Sequence, residues 1–508
     1  MKLNSITHSK IFSVNDLREI DRYTIDNEPI SSINLMERAA TAIFLEFIEL
    51  YKSKKNKIVI FAGTGNNGGD AAVIARLLAE SGYDVELYLV AFSTKISSET
   101  EINIDRYKKC NKSYFKIINS LDLMPDFCND DIIVDGLVGT GLKSTLEGKI
   151  AEVISIINKS SCEVISIDIP SGLQVENNIL AKTSQIVRAT HTITIEFPKL
   201  AFFFAENHSF VGDLHVVPIG LHEDIINSKE VLFRLINTMM VGGILKSIPR
   251  FSHKMLQGNA LLVAGSKGMM GCVLLAGRAA MRTGLGLLSI KTISESEILI
   301  HSCIPEALIY KGDNQQEFSA VGIGPGLGKE NEAKILLEKQ LRKENKAIVI
   351  DADAINIIAE NLEMLELVPK NSILTPHIGE FNRLIGRYSN SHERILAQRE
   401  FAQKHMIYVV LKGPYTSVAT PSGKVFFNTT GNQGMSTAGS GDVLTGIILS
   451  LLSQGYTSEE SALLGVYLHG LAGDLGADKL GMHSLIASDI IDFIPYALKE
   501  ITNYTRFA

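Results

Sequence analysis

Apolar runs without polar alternation recur through the first part of the chain: IVIFAG (58–63), DVELYLV (84–90), DIIVDGLVG (131–139), EVISIDIPSG (163–172), HTITIEF (191–197) and DLHVVPIG (213–220). Strands of this kind are buried on both faces, which predicts a parallel sheet covered by helices. Between the first two, AAVIARLLAESG (71–82) has helical periodicity and a terminal Gly as a stop signal. Around 221–245 the pattern lapses into HEDIINSKE and a short apolar stretch ending in Gly242-Gly243, so a domain boundary is expected near 230.

Beyond it the alternation restarts. NALLVAGS (259–266), GLLSIKT (286–292), AVGIGPGLG (320–328), AIVIDADAI (347–355), SILTPHIGE (372–380) and YVVLKG (408–413) read as strands. TSVATPSGKVFFN (416–428) reads as a hairpin turning at Pro421-Ser422-Gly423, and a long apolar helix follows Gly441. The two halves show no repeat of one another, which predicts a fusion of two unrelated α/β domains, 1–225 and 230–508.

Composition narrows the class of partner. The chain has 508 residues and a formal net charge of −7, with 45% hydrophobic and 21% charged positions. Such usage is that of an ordinary globular protein, and mild acidity without a basic block argues against nucleic acid as a partner. Five cysteines with no CxxC pair, and no HExxH, argue against a disulfide scaffold or a structural zinc and fit a reducing cytosol. The N-terminus, MKLNSITHSKIFSVNDLREID, has no apolar h-region, and LTGIILSLL (444–452) is about half a membrane span. A cytoplasmic protein without a membrane partner is expected.

Open α/β sheets bind ligands beyond the carboxyl ends of their strands, so the residues just after each apolar run carry the chemistry. GTGNNGGD (63–70) lies between a strand and a helix, where glycines admit a ligand to the backbone and the helix N-terminus offers N–H groups to phosphate. It lacks the GK[ST] of a Walker loop, and no acidic residue ends the following strand as a dinucleotide fingerprint would require. Asp135 and Asp168 close two further strands. A carboxylate in an apolar strand needs a partner. For Asp135 that partner is either a hard cation, shared with Asn67 and Ser171, or the N–H groups of its own loop.

With NLMERAA upstream and EFPK downstream, GTGNNGGD, VDGLVGTGL and DIPSG resemble the NAD(P)H-hydrate epimerase family over roughly 15–220. The resemblance implies a Rossmann-like three-layer α/β/α sandwich that interconverts the R and S forms of hydrated NADH and NADPH. These are damaged cofactors carrying a hydroxyl at C6 of the nicotinamide ring. Carried over, Asn66, Asn67, Gly68, Gly69 and Asp70 would hold the hydrate together with the loop Gly139, Thr140, Gly141, Leu142, Lys143, Ser144 and Thr145. Asp168 would contact it and move a proton, and Asn67, Asp135 and Ser171 would bind K⁺. Ala40 and Ala71 stand where the family usually has Gly, and the usual Gly after PK is missing.

In the second half, TAGSGDVLTG (437–446) places a Gly-rich turn at the start of an apolar helix, an anion hole for a transferring phosphoryl group. Asp442 at that helix start is positioned to take a proton from a hydroxyl. GIGPGLG (322–328) exposes further backbone, and Asp351 and Asp353 in VIDADAI could organise Mg²⁺ through water. TPHIGE (375–380) supplies His377 and Glu380, while VLKGPYT (410–416) puts Lys412 and Thr416 near a nucleotide.

Together with AGSKGMMG (264–271), these motifs resemble the ADP-dependent NAD(P)H-hydrate dehydratase family over roughly 240–500, a branch of ribokinase-like α/β folds. The resemblance implies that Gly326, His377 and Asp442 contact the S-hydrate. Cys272 would lie at the hydrate pocket, where the family commonly has Ala. Lys412, Gly413, Pro414, Tyr415, Thr416 and Gly441 would bind ADP, or ATP in some relatives, with Mg²⁺. The expected partners are NADH-hydrate, NADPH-hydrate and ADP. A homo-oligomer is expected too, with AFFFA (201–205) as an exposed apolar interface.

Overall fold

The computed structural model describes residues 8–53, 55–91, 95–111, 113–142, 144–178, 183–293, 297–312 and 317–507. They divide into two compact units, 10–231 and, with 8–9, 232–507.

The first unit is built on seven parallel strands: β1 (Lys57–Ala62), β2 (Asp84–Val90), β3 (Tyr114–Ile118), β4 (Ile132–Gly136), β5 (Glu163–Ile167), β6 (His191–Ile195) and β7 (Asp213–Val217). Their order is β3-β2-β1-β4-β5-β6-β7. Apolar residues on both faces explain the missing alternation. Ile58, Ile60 and Ala62 pack in one cluster with helix α1 (Asn66–Glu80), whereas Val59 and Phe61 pack in another with the helix Lys149–Lys159. The unit is therefore the three-layer sandwich that the resemblance implies. From β1 the chain winds outward to β3 and returns to β4 on the other side, making the β1/β4 junction the topological switch point.

Two details differ from the sequence reading. β3 was missed because YFKII carries Lys116 and sits at the sheet edge, where its residues are largely half-buried or exposed. AFFFA is not an exposed surface: Ala201, Phe202, Phe203 and Phe204 are all buried, most of them within a short 3₁₀ turn. It therefore offers no apolar interface of the kind expected of it.

The second unit holds β8 (Phe233–Ile236), β9 (Asn259–Val263), β10 (Leu287–Lys291), β11 (Leu308–Ile309), β12 (Ala320–Ile323), β13 (Ile348–Ile350) and β14 (Ile373–Leu374). β15 (Tyr408–Leu411), β16 (Ser417–Ala419) and β17 (Val425–Asn428) complete it, in the order β8-β17-β16-β15-β14-β13-β12-β9-β10-β11. The run from β15 to β10 is parallel, and β15, β16 and β17 pair antiparallel. The expected turn is present, with Gly423 at φ 85° and its N–H bonded to Thr420 O at 2.9 Å. Helices α2 (Met270–Arg282) and α3 (Ser440–Ser453) pack closely on one another. A side chain at Gly446 would lie 2.1 Å from Ala276 O, so only glycine allows that approach. Here the switch point lies between β9 and β12. No helix of the described residues is long and apolar enough to cross a membrane.

Two candidate active sites

In the first unit the switch point gathers the polar residues. α1 begins at Asn66, so Asn66–Asp70 form its first turn rather than a loop ahead of it. Gly63 and Gly68 are required by packing: a Cβ on either would lie 1.8 Å from a carbonyl oxygen, that of Leu137 and that of Gly63 respectively. Gly65, by contrast, has nothing within 4 Å of such a position and faces open space. Gly136 at the end of β4 accommodates Ala71, whose Cβ would be 2.5 Å from an added side chain.

Asp135 is fully buried at the end of β4. Oδ1 accepts from Ser171 Oγ (2.6 Å) and Leu137 N (3.2 Å), and Oδ2 from Ser166 Oγ (2.8 Å) and Ser171 N (2.9 Å). Burial pushes its pKa up against these bonds, which pull it down. Ser171 Oγ has one hydrogen and a second acceptor in reach, Val138 O at 3.1 Å. Turning that hydroxyl would free a lone pair on Asp135. Asn67 is also buried, and its Nδ2 has no hydrogen-bond partner. The amide beside Gly139 presents Oδ1 instead once its ends are exchanged. Leu137 N and Ser171 N are the loop N–H partners that the second sequence alternative expected for Asp135, and oxygens of Asn67, Asp135, Ser171 and Val138 are those that could hold a hard cation.

Asp168 follows β5 with φ at 64°, a left-handed conformation that costs a non-glycine residue about 1 kcal/mol or more. Its Oδ1 accepts from Lys199 Nζ (2.6 Å), Thr194 Oγ1 (3.1 Å) and Ile195 N (3.1 Å). Two more carboxylates act on this pocket. Desolvation, then repulsion by Asp168, pushes Asp21 up to about 6, and desolvation with repulsion from Asp168 and Asp21 raises Asp70 well above the ordinary range. In the facing loop, Leu142 N–H bonds Gly139 O at 3.3 Å. A side chain at Gly141 would come within 3.9 Å of the Arg18 guanidinium. Thr140 and Thr145 are half-buried, Ser144 is exposed, and Lys143 lies outside the described residues. Asp21 and Lys199 escaped the sequence reading. Asp21 sits in a charged helix, Val14–Asn27, that reads as a solvated face, and Lys199 was only one letter of EFPK.

The second unit arranges its switch point around α3. Gly265 N–H bonds Pro325 O at 2.9 Å and Ser266 Oγ bonds Gly326 O at 2.9 Å, joining AGSKGMMG to GPGLG. Gly326 has φ 58°, and a side chain there would meet Met269 O at 2.7 Å and Cys272 Cβ at 3.2 Å. Gly439, at φ 87°, turns the chain into α3, whose first turn carries Gly441 and Asp442. Burial, then Asp351, pushes Asp442 up to about 6, against the Cys272 thiol and Lys412, which hold it down. Burial and the neighbouring carboxylates push Cys272 itself up to about 12.

Asp351 and Lys412 pair with one another. Asp351 is 1% exposed and both its oxygens are taken, Oδ1 by Lys412 Nζ (2.8 Å) and Oδ2 by Thr445 Oγ1 (2.6 Å). It anchors Lys412 and the first turns of α3. Asp353 accepts Gly328 N on Oδ2 alone (2.9 Å). Burial opposes the charge on Lys412, but Asp351, Glu380 and Asp442 outweigh it. The ammonium lies 3.2 Å from where a side chain on Gly441 would start. Gly413 is turned by Thr416, whose Oγ1 bonds Gly413 O at 3.2 Å, and Pro414 and Tyr415 lie within that turn.

His377 caps the helix Ile378–Ile385. Its Nδ1 accepts Gly379 N (2.9 Å) and Glu380 N (3.2 Å), while Glu380 Oε2 accepts His377 N (2.8 Å). The ring is 54% exposed, so Nε2 faces outward, 3.5 Å from Glu380 Oε1. His469, hidden in the apolar run LLGVYLHGLAGD, went unnoticed in the sequence. Its Nε2 is 3.2 Å from Ser440 Oγ, and burial lowers it to about 4, so the ring supporting the turn is neutral.

Comparison with known proteins places each unit. Residues 260–496 match the family described as NAD(P)H-hydrate dehydratase, and residues 32–201 the one described as YjeF-related protein N-terminus. The bifunctional NAD(P)H-hydrate repair enzyme Nnr of Moorella thermoacetica is 33% identical over 96% of both chains. That of Escherichia coli is 30% identical over 99% of this chain and 96% of its own. Among solved structures, the ADP/ATP-dependent NAD(P)H-hydrate dehydratase of Bacillus subtilis, co-crystallised with ATP and Mg²⁺, is 31% identical. It covers 53% of this chain and 98% of its own, with a TM-score of 0.48.

Proposed function

The chain belongs to the bifunctional NAD(P)H-hydrate repair enzymes, and from that premise we propose how its residues divide the work. An epimerase domain and a dehydratase domain act on the same damaged cofactor. A dehydratase selective for one epimer strands the other, and the fused epimerase removes that block.

In the first unit, Asn66–Asp70 and the Gly139–Thr145 loop hold the hydrate at the β1/β4 switch point. Asp168 moves the proton on which epimerisation at C6 depends, whether by loss and return of water or by ring opening. K⁺ fits the oxygens of Asn67, Asp135 and Ser171, where it would supply positive charge beside the hydrate's phosphates. The orphaned amide end of Asn67 supports that assignment.

In the second unit the observation that carries the reading is Asp442: a half-buried carboxylate on the first turn of α3, beside a Gly-rich turn and the Lys412 ammonium. The N–H groups of that turn and the helix dipole take up charge on a phosphoryl group. Asp442 accepts the proton of the C6 hydroxyl. The hydroxyl oxygen forms a bond to the terminal phosphorus of ADP as the bond to AMP breaks. The ring nitrogen then expels phosphate, and loss of a neighbouring C–H proton restores the reduced nicotinamide. Gly326, His377 and Cys272 line the hydrate side; Lys412–Thr416 and Gly441 face the nucleotide. Mg²⁺ would neutralise the nucleotide's phosphates, and Asp353, with one oxygen uncommitted, would help hold it through water. Cytoplasmic residence completes the reading, supported by cysteines that are all free.

The test is recovery of absorbance at the reduced-nicotinamide band from mixed R and S NADH-hydrate, with K⁺ and Mg²⁺, in separate ADP and ATP arms, repeated with NADPH-hydrate. Full recovery in either arm supports the reading. No recovery in both sinks it, and a phosphorylated product without dehydration would make the second unit a small-molecule kinase.

A further inference from the structure

Lys199 comes from EFPK, just beyond β6, and is 2% exposed. Its ammonium is surrounded by oxygens: Asp168 Oδ1 at 2.6 Å, Thr194 Oγ1 at 2.7 Å, Phe197 O at 3.0 Å and Ile195 O at 3.3 Å. Three N–H bonds are thereby committed, and the side chain has neither a free proton nor an open path to a substrate.

Its effect on Asp168 is directional. Every hydrogen bond that Asp168 accepts from the described residues falls on Oδ1, from Lys199, Thr194 and Ile195 N. Oδ2 is left with its lone pairs open. The side chain is 13% exposed, enough to reach a ligand on that side. The backbone at Asp168 is left-handed and needs this clamp to persist. Asp21, from the helix Val14–Asn27, and Asp70, from α1, also act on the pocket, and desolvation with carboxylate repulsion shifts both toward the protonated form. Of these three carboxylates, the one that Lys199 pairs with is Asp168.

We propose that Lys199 is a positioning residue of the epimerase site, clamping Oδ1 of Asp168 so that Oδ2 faces the hydrate as the proton-transferring oxygen. This rests on the assignment of Asp168 above. It adds a residue that acts only through another.

The experiment measures the initial rate of R-to-S conversion of NADH-hydrate by the full-length enzyme, early enough that spontaneous exchange is small. Wild type is compared with Lys199→Ala, Lys199→Met and Lys199→Arg, with folding checked by melting temperature and by dehydratase turnover of the S form. Lys199→Met is expected to lower kcat about 100-fold with KM within about threefold, the effect of a misplaced catalytic group. Methylammonium is expected to restore part of kcat to Lys199→Ala and none to Asp168→Ala. If Met and Ala do not fold, Lys199→Arg decides: its planar fork keeps the charge but cannot reproduce an ammonium on one oxygen. Any folded Lys199 variant with wild-type kcat, or a loss confined to KM, overturns the proposal. A wild type that does not epimerise at all would sink the assignment of the site, and the proposal with it, whatever the variants do.

Discussion

Replacing Asp442 by Asn tests the dehydratase site and its energetics together. Asp442 is a half-buried carboxyl whose pKa is pushed from the ordinary 3.8 up to about 6, first by desolvation and then by Asp351. In the unfolded chain it would titrate near the ordinary value. Because the folded value is raised, the protonated form is the one the fold favours. Its stabilising effect is complete below about pH 4 and is lost as pH rises through about 6. At about 1.36 kcal/mol per pH unit between those values, ionised Asp442 costs the folded unit about 3 kcal/mol at pH 7–8. Asn keeps the shape and removes the titration. The Asp442→Asn variant should therefore match wild type in stability near pH 4 and exceed it at pH 8 by up to about 3 kcal/mol. In a unit of this size that is roughly 5 °C or more in Tm.

Activity should move the other way. A general base is worth about 10²–10⁴ in rate, so dehydration of the S-hydrate should fall about 10³-fold, while wild-type turnover should rise with pH along a limb centred near 6. Calorimetry of the full-length protein at pH 4, 6 and 8, beside absorbance recovery with ADP and Mg²⁺, reads both quantities. A variant within tenfold of wild-type turnover would refute the general-base role. A stability difference that does not grow between pH 4 and 8 would refute the electrostatic account.

Three further outcomes follow from the same geometry. Asp168→Asn should leave dehydration of the S form within about twofold while arresting the R fraction, seen early in absorbance recovery from the mixed hydrate; continued R conversion at the wild-type rate would contradict its role. Lys412→Met strands Asp351 as a buried unpaired carboxylate, and should cost about 3–5 kcal/mol in denaturant unfolding as well as raising KM for ADP. Gly63→Ala would put a Cβ 1.8 Å from Leu137 O, so epimerisation should fall at least tenfold and the first unit should melt earlier, whereas Gly65→Ala, facing open space, should be near neutral in stability.

Local pattern was enough for much of this. Unbroken Ile and Val runs such as IVIFAG disclose strands buried on both faces, because a parallel sheet leaves no polar side for alternation to record. Glycines and carboxylates at the ends of those runs mark the ligand-facing rim for the same reason of topology. The sequence also misled where burial depends on what folds over a segment. AFFFA has the look of a sticky surface, and only the tertiary packing closes it away. YFKII lies at a sheet edge, where a mixed pattern suffices.

What the sequence determined by itself was the list of chemically capable groups and their place after each strand, since strand period and turn chemistry are local. Which of them pair was decided by the tertiary structure. Asp351 and Lys412 stand 61 positions apart in separate motifs, and only the fold brings them together as an ion pair. Lys199 and Asp168 are 31 apart on different strand ends, and meet because β5 and β6 are neighbours in the sheet. A carboxylate in low dielectric takes the nearest cation that the fold delivers, and that distance is written in no local stretch of the chain.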